Sequence, residues 1–165
     1  MSINPDPEPA TAPSKPDLPD DPLALDNHLC FAVYSTSHAF SRLYRQQLAR
    51  LGLTYPQYLV MLVLWETAPL PIKTIGERLM LDSGTLTPLL KRMEATGLIN
   101  RERGSQDERQ VLVTPTAAGL DLRAKAVGLP PSIACASGLD LDTLRAMAAK
   151  LTILRSNLLD EVNRE

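Results

Sequence analysis

The sequence predicts a mainly α fold with a small β-wing. Three observations carry this expectation. Of 165 residues, 44% are hydrophobic but only 4% are aromatic, and long Leu- and Ala-rich stretches dominate, a balance that favours helices over a β-sandwich. Apolar residues recur near a 3.6-residue period through most of the chain. One segment breaks that period: residues 98–103 and 110–114 read as two strands around a polar hairpin tip at 104–109.

The N-terminal residues 1–22 hold seven of the 14 prolines and almost no large apolar side chain. Such a segment cannot bury enough surface to offset its ordering entropy, so a disordered tail is expected there. The tail is also acidic. The net charge of −2 gives no support to nucleic-acid binding, but residues 1–29 alone carry −5 and the rest of the chain +3.

Residues 23–51 have a helical pattern through Leu25, Leu29, Ala32/Val33, Thr36, Phe40, Leu43, Gln47 and Leu51, with two polar interruptions, ended by Gly52. Thr54-Tyr55-Pro56-Gln57 fits a capping box with Pro56 in the first turn. The helix it opens runs to about Glu66 and is apolar nearly all round, so it should be central. Ala68-Pro69-Leu70-Pro71 ends it.

After Pro71, residues Ile72, Ile75 and Leu79 share one face of a short helix, and Asp82-Ser83 is a good start for the next. There Leu86, Leu89, Leu90, Met93 and Gly97 fall on one inward face. Ser83, Thr87, Lys91 and Glu94 lie opposite, with Gly84, Thr85 and Arg92 close by. Hydroxyl groups at the start of such a helix suit base edges and phosphates. Pro88 lies inside this helix and removes a backbone hydrogen bond. Two strands follow, and Arg101, Arg103 and Arg109 make their hairpin basic despite Asp107 and Glu108. An Arg at such a tip can enter a narrow minor groove. The order helix, turn, helix, strand, basic hairpin, strand is that of a winged helix-turn-helix, which predicts double-stranded DNA as partner.

A helix should then begin with Thr114 as cap and Pro115 in first position. Leu129-Pro130-Pro131 interrupts it, and Gly138 marks a second break. The last helix begins near Asp140, and its Leu144, Met147, Leu151, Leu154 and Leu158 form a seam with alternating spacings of three and four. A seam of that kind pairs with another helix. The expected organisation is one domain over 23–165, with a DNA-binding unit at about 54–115 and dimerisation helices at about 23–51 and 116–165.

Several chemistries find no support. The N-terminus lacks the basic start and apolar run of a signal peptide, and the most apolar run, 58–65, is too short to cross a bilayer. A cytoplasmic protein is expected, in which the two cysteines form no standing structural disulfide. Neither metal-ligand spacing, nor a Gly-rich phosphate loop, nor a Ser/His/Asp signature appears, so no metal, cofactor or hydrolytic activity is expected. Cys30 falls in or just after the first turn of its helix, where the backbone favours a thiolate over a thiol.

The chain resembles the MarR family, and within it the organic-hydroperoxide resistance regulators (OhrR) of the two-cysteine type. The wing segment Asp107-Glu108-Arg109-Gln110-Val111-Leu112-Val113-Thr114 is similar to the family's wing motif. The subgroup is matched by Asp82-Ser83-Gly84-Thr85-Leu86-Thr87-Pro88-Leu89-Leu90-Lys91-Arg92-Met93-Glu94, by the run from Leu25 through Asn27, Cys30 and Tyr34 to Ser35, and by Thr54-Tyr55-Pro56-Gln57-Tyr58. The similarity covers about residues 23–160; His28 departs from the more usual Gln.

The resemblance implies a homodimeric, redox-sensing repressor rather than an enzyme. It implies that an organic hydroperoxide oxidises Cys30 and that Cys135, in the segment 130–138 read as a movable break, forms a disulfide with it across the dimer, releasing the operator. It gives Tyr34, Tyr44 and Tyr55 the role of hydrogen-bonding the reactive sulfur, and Ser83, Gly84, Thr85, Thr87, Lys91, Arg92, Asp107 and Arg109 that of meeting DNA. One geometric constraint comes with it. Cys30 and Tyr44 are 14 residues apart on one helix, about 21 Å at 1.5 Å per residue, so they can meet only between two chains. Two rivals are a MarR-like repressor released by a small phenolic ligand and a thiol peroxidase.

Overall fold

The computed structural model describes residues 21–104 and 110–164. The tail expected over 1–22 lies outside them except for Asp21 and Pro22, as does the hairpin tip at 105–109. The chain forms two compact units, the first ending at Ala39 and the second beginning at Phe40.

In the first unit a 3-10 turn, Leu25–Asn27, precedes α1 (Leu29–Leu48), which runs on into the second unit. The single helix expected from residue 23 is therefore broken. His28 is extended at φ −92° and ψ 113°, and its carbonyl accepts the N–H groups of Phe31 and Ala32 at 3.1 and 3.2 Å. The cause is local. The Asn27 amide donates to the Asp21 carbonyl at 3.0 Å, and Asp21 Oδ1 accepts the Leu23 N–H at 3.0 Å. These short polar side chains divert the backbone from helix into turns.

In the second unit, α2 (Tyr55–Glu66) opens with the expected cap: the Gln57 side chain accepts the Thr54 N–H at 2.8 Å. Tyr58, Val60, Met61, Val63 and Leu64 of α2 are buried, and each fully buried side chain of this size contributes about 2 kcal/mol. Two apolar clusters use this helix. Val60, Met61 and Leu64 pack with Ile75, Leu86, Leu90, Met93, Ile99 and Val113. Tyr58 packs with Leu48, Leu53, Ala126 and Leu129.

The strand β1 (Leu70–Pro71) leads into α3 (Ile72–Leu79), then α4 (Ser83–Ala95), β2 (Ile99–Arg103) and β3 (Val111–Pro115). The wing has three strands, not the two expected, in antiparallel order β1-β3-β2 with Leu70 and Arg101 both opposite Val113. Pro71 cannot donate to a ladder and so occupies the edge, where a two-residue strand leaves no period to read. The inward face of α4 is as expected at Leu86, Leu89, Leu90 and Met93. Gly97 does not belong to it: it lies past the helix, exposed, at φ 73°, turning the chain as only glycine does readily.

The following helix, α5 (Ala117–Ala126), is capped by Thr116, whose Oγ1 accepts the Gly119 N–H at 3.1 Å. This corrects the expected cap at Thr114, because Thr114 and Pro115 continue β3. Pro130 and Pro131 do not interrupt a helix. They open a separate one, α6 (Leu129–Ser137), since first-turn N–H groups have no helical partner to lose. Cys135 is therefore helical rather than in a loop. Asp140 caps α7 (Leu141–Val162), accepting the Thr143 N–H at 2.8 Å. No residue of α7 is buried, and its seam is open: Met147 is 47% exposed and Leu158 60%. Among the described residues no helix is long and apolar enough to cross a membrane.

Candidate nucleic-acid interface and thiol site

The N-terminus of α4 is built by Asp82. Its Oδ1 accepts the Thr85 N–H at 2.8 Å and its Oδ2 the Thr85 hydroxyl at 2.9 Å. These bonds hold the Asp82 carboxyl below the usual carboxylate range. Ser83, Gly84, Thr85, Lys91 and Arg92 are exposed along α4, and Thr87 is half-buried. Thr85 thus spends its hydroxyl proton on the cap. Pro88 is exposed, as is Gly84, the residue whose carbonyl would otherwise receive its N–H, so water can satisfy that carbonyl.

The turn between α3 and α4 holds Met80 in the left-handed region at φ 55° and ψ 40°. The Arg78 guanidinium pairs with Glu66, joining α3 to the end of α2. Asp107 and Arg109, expected at the wing tip, lie outside the described residues. Arg101 is not a free basic group of the wing. Its Nε and Nη2 donate to Glu94 Oε2 at 2.9 and 2.6 Å. Arg103 is exposed at the end of β2.

In the first unit, Cys30 is the second residue of α1, in its first turn, and is exposed. Tyr34 follows one turn later, 62% exposed, with its ring edge-on to His38 at 4.4 Å.

In the second unit Tyr44 and Tyr55 are brought together, stacked with centroids 4.3 Å apart. Tyr58 lies 5.9 Å from Tyr44 and 6.2 Å from Trp65, extending the aromatic cluster. Burial first, and then the neighbouring Tyr55 and Tyr58, push the Tyr44 phenol up to about 12. Burial raises Tyr55 and Tyr58 as well. All three therefore remain neutral O–H donors at physiological pH. The sequence reading did not include Tyr58 and Trp65 in this group, although Tyr55, Tyr58 and Trp65 share one helical face by spacing.

Cys135 is exposed near the end of α6, and its carbonyl accepts the Gly138 N–H at 3.1 Å. Tyr58, Leu62, Trp65, Arg123, Val127 and Pro130 line a groove of about 200 Å³.

Comparison with known proteins places this arrangement. A family model described as transcriptional regulator SarA/Rot matches residues 42–123. The chain is 53% identical to the HTH-type transcriptional regulator TtmR of Methylorubrum extorquens (strain PA1) over 139 residues, covering 84% of this chain and 71% of that protein. It is 48% identical to the organic hydroperoxide resistance transcriptional regulator of Bacillus subtilis (strain 168) over 129 residues, covering 76% and 88%. Among solved structures it is similar to AbfR of Staphylococcus epidermidis. The reduced form of AbfR bound to DNA matches with a TM-score of 0.68 at 38% identity, covering 82% of this chain and 94% of that one. A disulfide-formed AbfR matches with a TM-score of 0.57 at 37% identity, covering 79% and 91%. The expectation drawn from the wing and from the segments around Cys30, Tyr55 and Ser83 therefore holds, and the chain belongs to the MarR family of winged-helix transcriptional regulators, in its OhrR subgroup.

Proposed function

We propose that this regulator is a homodimeric repressor switched by organic hydroperoxides through Cys30 and Cys135. The observation that carries the reading is the placement of Cys30, exposed as the second residue of α1, with His28 just outside the helix. The chemistry runs in two balanced steps. The Cys30 thiolate attacks the O–O bond; the sulfur is oxidised to a sulfenic acid, and the alkoxide leaves and takes a proton to become an alcohol. The thiolate of the partner's Cys135 then attacks that sulfur, closing a disulfide and expelling hydroxide, which takes a proton to become water.

Tyr34 stands one turn from Cys30, and Tyr44 and Tyr55 offer a stacked pair of neutral phenols. The 14-residue separation of Cys30 and Tyr44 along α1 supports their meeting across a two-fold axis. The open apolar seam of α7 supports the same dimer. The unit at 54–115 reads operator DNA through Ser83, Gly84, Thr85, Thr87, Lys91 and Arg92, with Asp107 and Arg109 at the wing. The helices at 23–51 and 116–165 dimerise. A disulfide that repositions those helices moves the two recognition helices off their half-site spacing, and a tenfold loss of affinity needs only about 1.4 kcal/mol.

Non-reducing electrophoresis after treatment with cumene hydroperoxide tests the pairing. A covalent dimer is expected for wild type and for neither Cys30→Ser nor Cys135→Ser; a covalent dimer in either variant excludes the assigned pair. The groove beside Trp65 favours a second reading, release by a small phenolic ligand. Dithiothreitol distinguishes the two, because it restores DNA binding only after a thiol switch.

A further inference from the structure

Resting on the DNA-binding reading, we infer that Glu94 and Arg101 are a positioning pair that fixes the roll of α4 against the wing, and that neither side chain is itself a DNA contact. The pair joins the last turn of α4 to the middle of β2. Both Arg101 nitrogens converge on one carboxylate oxygen, at 2.9 and 2.6 Å. Its side chains are only 20% and 37% exposed, the most enclosed ion pair among the described residues. The Arg101 backbone is held in the ladder opposite Val113, which is fully buried on the central strand.

The rest of the α4–β2 junction sets distance and the coarse roll of α4: Leu90 and Met93 pack with Ile99 in the core, and burial of that face points it inward. The connecting turn is held by Gly97 N–H to Glu94 carbonyl at 2.9 Å and Leu98 N–H to Met93 carbonyl at 3.0 Å. A charge-assisted fork between guanidinium and carboxylate is directional and resists rotation of the helix about its axis. Lys91 sits one turn before Glu94 on the same helix, so the roll that Glu94 fixes is the roll of the exposed basic face.

The inference opposes simple electrostatics in sign. Glu94 is an acidic group on a helix that faces phosphates, so by charge alone its removal should tighten binding to every duplex. If the pair positions α4, removal weakens binding to the preferred duplex and leaves non-specific binding alone.

The probe is a fluorescein-labelled duplex selected from random-sequence DNA by the reduced wild-type protein, with an unrelated duplex as control. Affinities are measured by anisotropy from about 50 to about 200 mM salt. Glu94→Gln and Arg101→Gln should each weaken the selected duplex about tenfold, with control binding and salt slope unchanged. The double variant should lose no more than either single one, since the two act as a unit. Arg101→Lys, which keeps the charge but not the fork, should recover part of the loss.

Equal or tighter binding by Glu94→Gln overturns the inference. So does a salt slope reduced by about one in Arg101→Gln, the mark of a direct phosphate contact. Equal losses on both duplexes also overturn it, because they indicate general damage. If wild type selects no duplex at all, the DNA-binding reading fails and takes the pair with it, an outcome distinct from the others.

Discussion

The indole N–H of Trp65 donates to the carbonyl of Gly119 at 2.9 Å, tying α2 to the first turn of α5 where no larger residue fits. A Cβ on Gly119 would run into the backbone carbonyl of Leu98 and come within 3.1 Å of Met61 Cε. Neither the β2 entry nor the core methionine can yield without repacking. Gly119→Ala should therefore destabilise the fold by about 1–3 kcal/mol. Trp65→Phe, which removes the hydrogen bond and part of the packed ring, should cost about 1 kcal/mol or more. Urea midpoints check both; a Gly119→Ala midpoint at or above wild type would refute the packing argument.

Met80 offers the reverse case. It is 53% exposed and left-handed, a conformation that costs a non-glycine residue roughly 1–2 kcal/mol. Met80→Gly relieves that strain, with part of the gain offset by greater freedom in the unfolded chain. A rise in the urea midpoint corresponding to under about 1 kcal/mol is expected. A fall would mean that the Met80 side chain contributes more than its backbone strain costs.

The tyrosine cluster predicts alkaline sensitivity. Tyr44 titrates at about 12 in the folded chain, whereas an unfolded tyrosine titrates at about 10. The folded state thus holds its proton where the unfolded state has released it. The stability this confers is fully present below about pH 10 and is lost as pH rises towards 12. Thermal melts should fall across that window, and Tyr44→Phe should flatten the fall. An unchanged slope in Tyr44→Phe would remove Tyr44 as its source.

The open seam of α7 predicts oligomeric state. Leu151 and Leu158 are exposed in the single chain, and an aspartate at either position would place a charge in the proposed helix pairing. Leu151→Asp should shift sedimentation from dimer towards monomer at low micromolar concentration while leaving the far-ultraviolet helix signal in place. A variant that sediments as a wild-type dimer would exclude this seam from the interface.

Local chemistry made much of the fold legible. The caps at Thr54, Asp82 and Asp140 each bind a group three residues away, and α4 displays its buried face through Leu86, Leu89, Leu90 and Met93. What stayed hidden depends on distant partners. β1 exists only because β3 supplies Val113 and Leu112, and Arg101 looks like a free wing charge until Glu94 is found beside it. Pro130 and Pro131 read as a break because a proline that ends one helix and one that opens another look alike in sequence. The site divides the same way. Cys30 in a helical first turn was readable from its own segment, whereas the stacking of Tyr44 on Tyr55 joins two helices and is visible only in the folded chain.

The most direct test is operator release by oxidation. Reduced wild type, Cys30→Ser and Cys135→Ser are each bound to the selected duplex and titrated with cumene hydroperoxide. Wild type should release DNA and rebind after dithiothreitol, while Cys30→Ser stays bound at every dose. Release of DNA by oxidised Cys30→Ser would contradict the assignment of Cys30 as the sensor.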